Sequence, residues 1–158
     1  MTDINEIAAQ AKEGFAKSIG SGWEIMSQYY ADIVEVTHVP PIPTDGPVAG
    51  VMAAAYIQHM AVALSNLKDF SCTNEVRAEG QQITQVTAQH FRGVDGKPVT
   101  FHGELVFQFE NGRIVRLIST DGDTHAQLVE AVAATGPLMA SPWRDRDQYS
   151  PVKTPPSK

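Results

Sequence analysis

Three hairpin signals in the second half of the chain constrain its fold more than any other feature. Gly80-Gln81, Asp95-Gly96 and Asn111-Gly112 separate four stretches of strand-like composition, "DFSCTNEVRAEG", "QITQVTAQHFRG", "KPVTFHGELVFQFENG" and "RIVRLISTDGD". Asn-Gly and Asp-Gly are the strongest short-range turn dipeptides, because the tight turns that match strand twist need residues that accept positive φ. Four strands joined in this way form an antiparallel meander. In the third strand Phe101, Gly103, Leu105, Phe107 and Phe109 alternate with Thr100, His102, Glu104, Val106 and Gln108. A period of two therefore gives one strongly apolar face, which needs cover. Gly103 in mid-strand predicts a bend.

The cover lies upstream. Residues 2 to 19 set Ile4, Ile7, Ala8, Ala11, Phe15 and Ile19 at helical steps behind a Thr2 cap, and "GSG" at 20 to 22 reads as the helix end. Ser21 and Glu24 have capping-box spacing for a short second helix with Trp23, Met26 and Tyr30 on one side. A strand follows over Ile33 to His38, with Val34, Val36 and His38 on one face and Ile33, Glu35 and Thr37 on the other. Pro40, Pro41 and Pro43 break it, and "TDGPVAG" reads as a loop. The third helix runs from about Val51 to Leu67, with Met52, Tyr56, Met60, Ala63 and Leu67 as its apolar stripe. A last helical pattern, Asp123 to Thr135, closes at Gly136-Pro137.

The expected architecture is α+β: a cone-shaped half-barrel in which a curved, mostly antiparallel sheet wraps around the N-terminal helices. One domain is expected over residues 1 to 136, with a Pro-rich C-terminal arm over 137 to 158, partly frayed. Such half-barrels often leave an apolar cavity between sheet and helices, the usual shape of a small-molecule site.

Composition narrows the function. Twelve basic against 18 acidic side chains give a formal net charge of −6, with no cluster of Lys or Arg. That balance argues against nucleic acid and anionic membranes as partners. Cys72 is the only cysteine, "MTDINEIAAQ" is too acidic and polar for a signal peptide, and no apolar run approaches a bilayer span. A reducing cytoplasm is the expected compartment. The chain has no HExxH, no paired-cysteine zinc spacing, no phosphate-binding glycine loop and no GxSxG elbow, so neither metal nor organic cofactor is expected.

"WEIMSQYYADIVEVTHVPP", then "GPVAG" opening a helix, and later "DGKPVTFHGELVFQFENGRIV" resemble the nuclear transport factor 2-like superfamily over about residues 5 to 135. That group includes ketosteroid isomerases, scytalone dehydratases and SnoaL-like polyketide cyclases. The resemblance implies an α+β cone of the cystatin-like roll type, commonly a homodimer or homotrimer. The fold hosts isomerases, dehydratases, hydrolases and non-catalytic carriers, so it does not name the reaction. "YADIVEVTHVP" matches the segment where the isomerases have "YADDATVEDP", which puts their catalytic carboxylate on His38. Their protonated oxyanion-hole aspartate falls on Leu105, an argument against steroid isomerisation by that route. Asp121 lies close to where SnoaL-like cyclases have an acidic residue.

The candidate catalytic residues are His38, Tyr30, His90 and Asp121. His38, on the more apolar face of its strand, is either a general base or a strand-end histidine facing water. His90 shares a face with Val86 and Ala88 and is read as a second cavity histidine or as a core or interface one. His102 is assigned to the outer face. Tyr30 is a donor to substrate oxygen or a buried ring bonded to backbone, and Asp121 an acid, an orienter of histidine or a turn cap. Trp23, Tyr56, His59, Phe101, Leu105 and Phe107 are the candidate substrate-binding residues, with core packing as their alternative role. The expected activity is a cofactor-independent, dehydratase-type lyase acting on a largely apolar cyclic or aromatic molecule that carries hydroxyl or carbonyl groups. Isomerisation, polyketide-type ring closure and non-catalytic ligand binding are the alternatives.

Overall fold

The computed structural model describes residues 3–41 and 45–134. Two helices, α1 (Ile4–Lys17) and α2 (Ile19–Ser27), precede strand β1 (Tyr30–Val39), a short strand β2 (Gly46–Ala49) and helix α3 (Gly50–Ser65). Four strands follow, β3 (Ser71–Glu79), β4 (Gln82–Arg92), β5 (Pro98–Glu110) and β6 (Arg113–Asp121), and then helix α4 (His125–Ala133). The strands form one sheet in the order β2-β1-β6-β5-β4-β3. Its two end strands do not pair, so the sheet is open. The α+β half-barrel expected from the sequence is therefore present. Thr2, Gly136-Pro137 and the C-terminal arm lie outside the described residues.

The turn chemistry explains the meander. Asn111 and Gly112 take φ of 52° and 77°, Gly80 takes 60° and Gly96 takes 81°, as tight connections between twisted strands require. All meander pairings are antiparallel, whereas β1 joins β6 in parallel. The register aligns inward side chains in rows across the sheet. One row runs Val36, Leu117, Phe107, Ile83 and Ala78; the next runs His38, Ser119, Leu105, Gln85 and Val76. A third carries Asp121, Gly103, Thr87 and Asn74. The sheet thus grades from an apolar floor to a polar rim.

Several local expectations are corrected. "GSG" does not end a helix. Helix α1 stops at Ser18, whose hydroxyl accepts from the Ser21 amide at 2.9 Å and caps α2, so Gly20, Ser21 and Gly22 lie inside α2. The glycines serve helix contact: a Cβ on Gly22 would collide with the Phe15 ring, and one on Gly14 would press on the Ser21 carbonyl. At Gly103 the ladder to both neighbours is continuous, and the β5·β6 register shifts between Gln108 and Phe109. A Cβ at Gly103 would lie 2.7 Å from the Phe101 ring, so the missing side chain gives that ring its place.

"GPVA", expected as loop, is strand β2, paired antiparallel to β1 through Val36↔Gly46 and Val34↔Val48. Its proline is tolerated because β2 is an edge strand, where a missing amide costs no ladder bond. Helix α3 buries Ala53, Ile57, Ala61, Ala63 and Leu64; of the expected stripe, Ala63 and Leu67 are core, and Met52, Tyr56 and Met60 are part-buried. Helix α3 packs on α2 and β1, and α1 on α2 and β3. Among the described residues no helix is long and apolar enough to cross a membrane.

Candidate functional site

A cavity of about 130 Å³ lies between the sheet's inner face and helices α2 and α3. Its apolar wall comes from Val36 and Leu117 on the sheet and Ala53, Ile57 and Leu64 on α3, with Trp23 from α2. Apolar cavities of this volume accommodate a ring of benzene size. The polar groups concentrate toward the row of His38 and the row of Asp121.

His38 borders the cavity with its side chain 12% exposed. Asp45 holds it from two directions: one carboxylate oxygen accepts from the His38 backbone amide at 3.0 Å, and the other stands 2.6 Å from Nδ1. A carboxylate at that nitrogen favours the tautomer protonated at Nδ1, which carries its lone pair at Nε2. It would also stabilise the imidazolium formed when Nε2 takes a proton. Strand β2 makes this possible, because pairing Gly46 with Val36 returns Asp45 to the end of β1. Gly46 has φ of 132°, a conformation that side chains disfavour and glycine accepts.

A second carboxylate–imidazole pair stands where the adjoining strand β6 leads into α4. His38 is the register partner of Ser119, and Asp121 lies two residues further on the same face. Strand spacings put the His38 and Asp121 Cα atoms roughly 8 Å apart. Asp121, its side chain 9% exposed, sits 3.5 Å from His125 Nε2 and 3.5 Å from the Ser119 hydroxyl. His125 begins α4, whose start is anchored by the Thr124 hydroxyl donating to the Thr100 carbonyl at 2.6 Å. The His125 ring also packs against Phe101, centroids 5.9 Å apart. Tyr56 reaches the same cavity from α3, and burial, reinforced by the negative charge of Asp121, pushes its phenol up to about 12. Tyr56 is thus a hydrogen-bond donor near neutral pH, not a base.

The cavity also takes Trp23, Phe101, Leu105 and Asp121 into its lining. Four expected members are elsewhere. His90 is exposed, its Nδ1 3.0 Å from the Thr100 hydroxyl, because Gln85, Thr87 and Gln89 occupy the inward positions of β4. Phe107 is fully buried in the floor beneath the lining. His59 lies on α3 outside the lining, with Nδ1 buried and without a hydrogen-bond partner among the described residues. Tyr30 stands at the far end of β1, eight residues from His38, or roughly 26 Å along an extended strand.

Burial raises the Tyr30 phenol's pKa, and its hydroxyl has no hydrogen-bond partner among the described residues. Tyr30→Phe should therefore leave catalysis unchanged and hold or raise the melting temperature, since a buried unpaired hydroxyl costs stability. Differential scanning fluorimetry checks this, and a fall of several degrees would show the hydroxyl to be structural. Asp45 and His125 escaped the sequence reading. Asp45 follows the proline break, and His125 lies in a segment read only as a helix start. Among the described residues no three His, Cys, Asp or Glu side chains converge as metal ligands would.

No family model and no curated protein matches the chain. Solved structures do match in fold. An NTF2-like protein of unknown function from Burkholderia pseudomallei is 20% identical with a TM-score of 0.54, covering 83% of this chain and 98% of its own. A protein from Jannaschia sp. CCS1, provisionally named a SnoaL-like polyketide cyclase, is 15% identical with a TM-score of 0.52, covering 82% and 92%. TerC, co-crystallised with polyporic acid, is 17% identical with a TM-score of 0.51, covering 82% and 98%. At these identities the likeness is one of fold, and the fold of the chain is NTF2-like.

Proposed function

We propose that the protein is a cofactor-independent acid–base lyase of dehydratase type, acting on a small, largely apolar cyclic or aromatic molecule that bears a carbonyl and a hydroxyl group. The observation that carries this reading is the Asp45-held imidazole of His38 on a cavity that also carries a second pair, Asp121 at the end of β6 and His125 at the start of α4. His38 Nε2 takes a proton from the carbon beside the carbonyl, and Tyr56 donates to the developing enolate oxygen. The electron pair of the broken C–H bond becomes the new C=C bond as the C–O bond opens. The departing hydroxide takes a proton from the Asp121–His125 pair and leaves as water. The apolar wall strengthens these polar contacts by excluding solvent.

The test incubates wild type and His38→Ala with cyclic β-hydroxyketones in D₂O and follows products by mass. Loss of water in the wild type, slowed about 10²- to 10⁴-fold in the variant, is expected for removal of a general base. Turnover indifferent to His38 would overturn the assignment. A His38-dependent product of unchanged composition apart from deuterium would replace elimination by isomerisation or ring closure.

A further inference from the structure

Strand β4 carries three polar residues in succession on the face that should be core: Gln85, Thr87 and Gln89, each less than a tenth exposed. All three border the cavity. Gln85 is fully engaged, its carbonyl accepting from Trp23 Nε1 at 2.7 Å and its amide donating to Asn74 Oδ1 at 2.8 Å. Gln89, four residues along the same face, is not. Its amide makes one long contact, 3.4 Å to the Thr87 hydroxyl, and its carbonyl oxygen is buried without a partner. Four side-chain polar atoms are buried unpaired among the described residues, on Tyr30, Gln58, His59 and Gln89. Only Gln89 borders the cavity.

A buried carbonyl left unpaired costs stability, and a donor presented from the cavity, such as a ligand hydroxyl, would compensate it. Gln89 pairs in register with Phe101, while Asp121 pairs with Gly103, one inward position back on the same strand. Sheet spacings then separate Gln89 from Asp121 by roughly 12 Å between Cα atoms, with the bare Gly103 between them. From these placements we infer that Gln89 is a specificity-determining residue, which selects ligands carrying a second hydroxyl on the side of the ring system remote from the His38–Asp121 end. A hydroxyl suits the site because it can donate to the carbonyl or, with the amide turned over, accept from it. The inference rests on the proposed cyclic-carbonyl ligand class and adds a polar anchor at its far side.

The experiment compares 1-tetralone with its 5-, 6- and 7-hydroxy derivatives by calorimetric titration into wild type and Gln89→Leu, alongside melting temperatures of both free proteins. At least one hydroxytetralone should bind wild type about fivefold or more tightly than 1-tetralone, and the variant should lose that preference. The free variant should melt about 2–4 °C higher, having lost a buried unpaired group. Equal binding of all probes to wild type, or a variant that melts lower, overturns the role of Gln89 and leaves the acid–base reading intact. Binding of none of the probes overturns both.

Discussion

Asparagine in place of Asp45 is expected to lower kcat/KM for any cyclic hydroxyketone the protein turns over by about 10²- to 10⁴-fold, nearly as much as loss of His38 itself. That is about 3–5 kcal/mol of transition-state stabilisation. The substitution preserves shape but removes the charge that would balance an imidazolium. It also permits an amide N–H to face Nδ1, which selects the tautomer protonated at Nε2, where the lone pair is needed. Imidazole ¹⁵N shifts separate catalysis from packing: the wild type should show Nδ1–H at neutral pH, and Asp45→Asn should raise the share of the other tautomer. An activity loss without tautomer change would leave charge stabilisation as the cause. Full activity would remove Asp45 from the mechanism.

The importance of Asp45 could not be read from the chain because it depends on a strand that local rules exclude. Gly-Pro within "TDGPVAG" is a strong breaker signal, and the only physical escape is a strand at the sheet edge. Edge position is a property of the assembled sheet. His38 was legible because alternation along β1 linked it to Val34 and Val36, both buried. The same rule inverted β4, where Val86 and Ala88 drew His90 to the supposed inside. The inward side there is polar, since the cavity and the Trp23–Gln85–Asn74 network offer partners that an ordinary core lacks. Pairing across the Asp95-Gly96 turn would have resolved it: with the apolar face of β5 inward, Phe101 fixes Gln89 beside it and leaves His90 outside. Meander and apolar β5 face were therefore readable from local signals, whereas the division of inward residues into floor and lining needed the third dimension.

That division carries the largest expected effect on stability. Phe107→Ala should destabilise the fold by about 3–5 kcal/mol, a large part of the roughly 5–15 kcal/mol that holds a domain together. Phe107 is fully buried between Leu117 and Ile83 in the apolar row, so its loss would leave a cavity in the core. Leu105, one inward position away, is only part-buried and already faces the cavity. Leu105→Ala should therefore cost much less stability while enlarging the ligand space and weakening binding of compact rings. Urea denaturation of the two variants, with 1-tetralone titrations on whichever remains folded, tests the distinction. A Phe107→Ala protein that stays as stable as wild type but binds less well would return Phe107 to the cavity wall. The expected opposite result follows from position: Phe107 is core beneath the lining, whereas Leu105 in the next row already borders the cavity.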